Sequence, residues 1–442
     1  MSLQVPAIRP LHPQSPRSRP LVRSSSRLLV LFHAGALLLA TFEFLNVWFI
    51  MPLPGSQRMR SIDVAYALYQ WRWPLRLAFG VLLLAGLPAA FRATGRRRWL
   101  APAALLVVGG VTYVTNFVMA ADRMFRQPTV VTMLPAASNK VPGDRLVVGV
   151  EVNGEARAYP LMFIGYHHQV RDTVGGRDVL VSYCTVCRTG RVFSPVVEGR
   201  AEEFRLVGMD HWNAMFEDHA TGSWWRQANG EAIKGSRTGM RLEEIPSLQV
   251  TLDQWFALHP ASLVMQGDPT FTDEYAKDYA FEKGTSRKAL TGTDTTSWGE
   301  KSWVVGVVAG GKAMAYDWNR LRRERVINDV LGGVPIVLVL AADSASFFAY
   351  VRPDSATRFA LRGDSIVGGD VAYAIAGGRG ASASLPAIPA SQEFWHSWRT
   401  FQPSTGRYQG RTGFGGGEFD TEGHGGARGV PPDSSAFLRA PP

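Results

Sequence analysis

The distribution of apolar residues divides the chain into two regimes. Three long apolar runs follow one another near the start, at residues 28–50, 75–91 and 100–120. Each approaches or exceeds the ~20 residues that carry a helix across a bilayer. Three in succession favour membrane spans over buried core helices, so residues 28–120 are expected to have the lipid bilayer as partner. The first run is too long for a removed signal peptide and lacks a small-x-small cleavage site. Glu43 lies inside it, where an acid faces a partner, a cavity or the interface.

Beyond residue 120 the pattern shortens to strand-length stretches broken by Gly, Asn and Asp. Residues 147–152 and 155–160 flank Asn153-Gly154, a hairpin signal because both residues tolerate positive φ. Gly175-Gly176 predicts a second turn, leading into the apolar stretch 179–181. Residues 252–259 read as a helix stopped at Pro260. The pattern then recurs. Residues 147–159 match 304–316 at an offset of 157, and the offset holds through Asp172 and Asp329, the glycine pairs 175–176 and 332–333, and Phe193 and Tyr350. Near its end the match resumes at an offset of 143, with Trp255 against Trp398 and Pro260 against Pro403, so the second copy is 14 residues shorter. The period is far too long for a solenoid.

The fold class expected is α+β and β-rich: an N-terminal three-helix transmembrane region, then a tandem pair of related mixed β-rich domains. In order these are a basic cytoplasmic tail (1–27), three transmembrane helices (28–120), a linker (121–144), a first Cys- and His-bearing copy (145–267), a connecting segment (268–301), a degenerate second copy (302–410) and a tail (411–442). The Gly, Pro and Ser content of the tail predicts disorder.

Charge changes the picture only when divided. The net charge is +10, and the first 120 residues hold 13 arginines, no lysine and two acids, Glu43 and Asp63. The remainder is close to neutral, which gives no support to a nucleic-acid partner. Arg9, Arg17, Arg19, Arg23 and Arg27 precede the first span, and Arg92, Arg96, Arg97 and Arg98 lie between the second and third. Both groups are expected in the cytoplasm, despite Arg58, Arg60, Arg72 and Arg76 between the first two spans. The N-terminus is then cytoplasmic, the cell membrane is crossed three times, and the part after residue 120 is periplasmic.

Candidate chemistry concentrates at Cys184 and Cys187, the only cysteines, at the turn of an expected hairpin. The second copy has Ala341 and Ser344 there, and Glu324 and Arg325 where the first has His167 and His168. Residues kept in both copies, such as Tyr159 and Asp172, are most simply structural; Asp172 is expected as a turn or cap carboxylate. Three chemistries suit the pair. One is a transition-metal centre, zinc or copper, with His167 as third ligand and His168 or His211 as fourth, or an open position. Another is thiol–disulfide redox at Cys184 and Cys187. The third is a structural disulfide in a non-enzymatic binding or scaffold module. Trp212, Trp225 and Arg226 are candidates for a pocket wall, as are Trp224 and His219, with packing the alternative. Glu217 and Asp218 would be acid/base candidates only beside such a pocket.

The segment 148–161, His167 before Gln169-Val-Arg-Asp172, Thr173-Val-Gly-Gly176, Ser182-Tyr-Cys-Thr-Val-Cys187 and Trp225-Arg-Gln227 together resemble the domain-of-unknown-function family 3179. The resemblance runs over about residues 145–267. It departs at Thr185, Val186 and Arg188, where the family pattern has Pro, Leu and Gly, and at His168, where it has Glu. It implies a domain and no activity, so whether the protein is an enzyme stays open.

Overall fold

The computed structural model describes residues 21–92, 94–363, 365–375 and 384–410. The expected tail beyond residue 410, and most of the basic N-terminal tail, lie outside the described residues. The chain forms two compact units, one of residues up to Asn46 with Ala67–Asn116, the other of Val47–Tyr66 with the chain from Phe117 onward.

The first unit is helical. Ser26–Trp48, Arg72–Phe91 and Gly95–Val118 are long and apolar enough to cross a membrane. Glycines let the first two helices approach. A Cβ at Gly86 would lie 2.4 Å from the Leu28 carbonyl oxygen, and one at Gly35 would lie 2.5 Å from the Leu83 nitrogen, the close contact that small residues permit between apolar helices. Glu43 is buried and has partners. Arg76 donates to it at 2.6 and 2.8 Å, and Asn116 at 2.9 Å. Asn116 sits on a π-helical turn, Val114–Val118, that ends the third span. Each group supplies what its neighbour would otherwise lack in an apolar surrounding.

The second unit carries the β structure, as the α+β class expects. Leu146–Val152 and Glu155–Pro160 pair as a hairpin with Val148 opposite Tyr159. Its turn uses φ of 50° at Asn153 and 82° at Gly154, the left-handed conformations that match strand twist. The helix Leu161–His167 comes after it, then the antiparallel sheet Gln169–Val174, Arg177–Cys184, Thr189–Phe193. Further on, Trp303–Ala309 and Lys312–Asp317 pair with Val305 opposite Tyr316. The helix Trp318–Glu324 and the sheet Val326–Leu331, Val334–Leu340, Phe347–Val351 come next.

Tyr159 donates to Asp172 at 2.7 Å and Tyr316 to Asp329 at 2.8 Å. Asp172 is therefore a strand carboxylate clamping a buried tyrosine, and Arg157 pairs with it at 2.6 Å. The turn or cap role does not hold, because the residue lies within Gln169–Val174.

One core cluster joins the two halves, and the second half has a further cluster of its own around Val305, Tyr316 and Leu338. Val148, Tyr183 and Trp255 cluster with Val337, Phe348 and Tyr350. Each half also caps the other's hairpin. The amide of Phe394, before the helix Trp395–Phe401, donates to the Cys187 carbonyl at 3.0 Å. The amide of Thr251, before the helix Leu252–Leu258, donates to Ser346 Oγ at 2.9 Å. Where the second half has the three-stranded sheet Phe359–Arg362, Ser365–Gly368, Val371–Ala374, the first half has a four-stranded sheet of Phe204–Asp210, Asn213–Asp218, Trp224–Arg226 and Ala232–Lys234. Its first turn reaches the cysteines.

Candidate dithiol site

Cys184 ends one strand and Thr189 opens the next, so the cysteines sit on the tight connection between them. Both are free and fully buried. Arg188, where the family pattern has glycine, has φ of 57°. The turn keeps its left-handed residue without glycine because the Arg188 side chain is anchored. Its guanidinium donates to the carbonyls of Phe281 and Glu282 at 2.8 and 3.0 Å and to Gln392 at 2.9 Å, and lies 3.5 Å from the Trp303 ring centre.

The two sulfurs differ. Burial pushes the Cys184 thiol up, but hydrogen bonds from Cys187 and from the amides of Ala214, Cys187 and Val186 outweigh it and hold Cys184 below the ordinary cysteine range. Burial, then the neighbouring Cys184 sulfur and its charge, hold Cys187 well above that range. Amides aimed at a sulfur favour its anion as a helix N-terminus would. Each thiol donates to the Trp212 carbonyl oxygen, at 3.5 and 3.4 Å, a contact that Cys184 gives up when it ionises.

Trp212 occupies the turn between Phe204–Asp210 and Asn213–Asp218. His211 and Trp212 there have φ of 50° and 62°, costly for bulky residues and held only by surrounding contacts. The Trp212 amide donates to Gln57 Oε1 at 3.1 Å, and its ring lies 5.9 Å from that of His396. Asp210 receives His211 Nδ1 and Arg226 Nε, each at 2.7 Å. His396 Nε2 donates to the Val186 carbonyl at 3.1 Å, while its buried Nδ1 has no partner. Burial pushes His396 down to about 4, so it stands neutral beside the turn.

The other anticipated ligands point elsewhere. His167 Nδ1 is 2.6 Å from the Arg126 carbonyl and Nε2 is 2.9 Å from the Tyr275 hydroxyl. Both ring nitrogens are engaged, Nδ1 with the start of the linker and Nε2 with the segment that connects the two halves. His168 is buried, bonds the Tyr166 carbonyl at 3.1 Å and packs on Phe125. Among the described residues no three His, Cys, Asp or Glu side chains converge in a way suited to a metal ion; the Cys184, Cys187, His167 set is not assembled.

Of the pocket candidates, Trp212 and Arg226 lie at the site. Trp225 is fully buried, its indole donating to Asp218 at 2.8 Å, and Trp224 donates to Glu217 at 3.0 Å. Those acids anchor indoles. Residues that sequence reasoning missed are Gln57, Asp210, His396 and Ser397, whose hydroxyl lies 3.3 Å from that of Thr189 on the cysteine turn. The one signal was that Trp395-His-Ser-Trp398 departs from Leu252-Asp-Gln-Trp255 at matched positions.

Fold and site define an α+β protein with three helices of membrane-spanning length and a β-rich unit that buries a free cysteine pair on one turn. The chain belongs to the family described as protein of unknown function (DUF3179), whose model matches residues 125–405, across both halves of the β-rich unit. No curated protein and no solved structure matches the chain.

Proposed function

We propose that the chain is a membrane-anchored thiol–disulfide redox protein on the periplasmic side, with Cys184 as attacking thiolate and Cys187 as resolving thiol. The observation that carries this reading is geometric: two free, buried cysteines stand two residues apart on one tight turn, with the backbone amides of Val186, Cys187 and Ala214 directed at Cys184. A dithiol that exchanges with disulfides needs one thiolate to attack and a second thiol in reach to resolve. The duplicated second half lacks both cysteines and serves as a cap, through the Phe394 amide and His396 on the cysteine turn. The packing of Val47–Tyr66 with the chain from Phe117 onward supports the three-crossing topology. Three crossings bring the loop after the first span and the chain after the third to the same side, and the arginines favour the outer one.

The test uses the full chain in detergent, prepared without chelator. Oxidised dithiothreitol is added, free thiols are alkylated, and masses and bound metal are read from the same sample. A reversible Cys184–Cys187 disulfide is expected. Thiols that stay reduced, or a stoichiometric zinc or copper ion lost in Cys184→Ala, would replace this reading with a metal centre completed by other ligands.

A further inference from the structure

The helix Trp395–Phe401 of the second half rests on the cysteine turn at several points. The Phe394 amide and His396 hold the Cys187 and Val186 carbonyls. The Ser397 hydroxyl forms a hydrogen bond with the Cys187 side chain and lies 3.3 Å from the Thr189 hydroxyl. It donates to Glu393 Oε2 at 2.8 Å. With its own proton committed to that carboxylate, the hydroxyl has lone pairs to offer the Cys187 thiol. Glu393 divides its two oxygens. Oε1 takes Arg191 at 2.6 Å and Ser391 at 2.9 Å, whereas Oε2 takes Ser397. Cys187, Ser397 and Glu393 are all buried.

The duplication supplies a control. At an offset of 143, Glu393 stands where the first half has Val250, and Ser397 where it has Gln254. Val250 lies opposite Val147, and Glu393 opposite Val304, so the two hold the same place in their sheets. Val250 is a core residue. The scaffold therefore accepts valine there, and a buried carboxylate is costly unless it is paired. The helix that meets the cysteine-free turn comes with the valine, and the helix that meets Cys184 and Cys187 comes with the carboxylate.

We propose that Ser397 and Glu393 are the proton relay of the resolving cysteine, Cys187, in the reduction of a substrate disulfide. The inference rests on the redox reading above. The Cys184 thiolate attacks one substrate sulfur. A bond forms between them, the substrate S–S bond breaks, and the other substrate sulfur leaves as a thiolate that water protonates. A substrate at Cys184 parts the thiols from the Trp212 carbonyl, and Cys187 keeps Ser397 as its acceptor. The Cys187 proton passes to Ser397 Oγ as the Ser397 proton passes to Glu393 Oε2. Cys187 then attacks Cys184 in the mixed disulfide, the Cys184–Cys187 bond forms, and the second substrate sulfur leaves as a thiolate. The substrate gains two electrons and the cysteine pair loses them. Burial and the Glu393 charge otherwise oppose a Cys187 thiolate. The proton on Glu393 removes the second of these and leaves the net charge of the buried group unchanged.

The charged and titratable groups that face Glu393 are Arg191 on the strand after the turn, with Glu244 3.4 Å behind it, Tyr183 on the central strand and Cys187. Arg188 turns to Gln392, and neutral His396 to the Val186 carbonyl. The strand Trp303–Ala309, paired beside Glu393, carries no charge.

The experiment mixes the full chain in detergent with oxidised glutathione, quenches with acid, and reads the mixed and internal disulfides by mass. In wild type the mixed disulfide is expected to be transient. E393Q, which keeps the shape of the side chain, and S397A should form it at the wild-type rate. Both should resolve it at least about tenfold more slowly at pH 7, an ordinary share for a positioned proton-transfer group. The double variant should be no slower than either single one, because the two act as a unit. At about pH 9 the gap should narrow, since hydroxide then takes the thiol proton. Resolution at the wild-type rate in both variants, or attack and resolution slowed alike, overturns the relay and leaves the dithiol standing. S397A leaves the Arg191–Glu393 pair in place and decides the matter if E393Q does not fold. No exchange in wild type, with thiols that never oxidise, sinks the redox reading and the relay with it.

Discussion

At the scale of single residues, the site is built by side chains forced into conformations or charge states they would not choose alone. Arg188 shows which force wins. Replacing it with glycine would relieve a left-handed backbone cost of about 1–2 kcal/mol. It would also remove three hydrogen bonds from a buried guanidinium, each worth about 1.5–3 kcal/mol when charged. Arg188→Gly is expected to lower stability by on the order of 3 kcal/mol, read as a fall in the thermal midpoint in detergent; a rise would mean that strain dominates. His168 and His396 are both pushed down to about 4 by burial, against about 6.5 in an unfolded chain. The unfolded chain therefore binds protons that the folded one refuses. Stability is full above pH ~6.5 and falls as pH drops towards ~4, by on the order of 3 kcal/mol for each histidine. Unfolding midpoints compared at neutral and acid pH should show that slope, reduced in His396→Gln; an unchanged slope in a variant lacking both histidines would assign it to other groups.

At the scale of elements, each half seats a helix on its own hairpin through a glycine. A Cβ at Gly149 would lie 2.3 Å from the Trp255 ring, and one at Gly306 2.1 Å from that of Trp398. Overpacking of this kind costs about 1–3 kcal/mol, so Gly149→Ala and Gly306→Ala should both lower the thermal midpoint. They should differ at the thiols. The helix packed on Gly306, Trp395–Phe401, carries the His396 contact to Val186, whereas the helix on Gly149 comes after the Thr251 contact to Ser346. Only Gly306→Ala is expected to change the alkylation rate of Cys184 with iodoacetamide; equal effects would remove the capping role of the second helix. The hairpins and paired glycines were legible in the sequence because turn chemistry is local. The partner of Asp172 was not, since a carboxylate after a strand-like run reads as a turn residue until the tyrosine 13 residues earlier is brought opposite it.

At the scale of the whole molecule, orientation is open to direct test. Met59 is 49% exposed on the loop after the first span, and Arg97 lies between the second and third. In a background without Cys184 and Cys187, Met59→Cys should react with an impermeant maleimide on intact cells, and Arg97→Cys only after permeabilisation. The reverse pattern would invert the topology proposed here. The sequence by itself determined the three apolar helices, the β-rich character of the chain beyond them, the family and the position of the cysteine turn. All of these rest on periodicity, turn residues and spacing, which are properties of neighbouring residues. Tertiary structure alone decided what surrounds the two thiols. It turned His167 towards Arg126 and Tyr275, and it carried His396 from about two hundred residues away, and Gln57 from before the second span, to the cysteine turn. Whether a buried sulfur is an anion depends on the few amides, carbonyls and rings within a few ångströms of it. Those neighbours come from distant parts of the chain, so no local pattern records them.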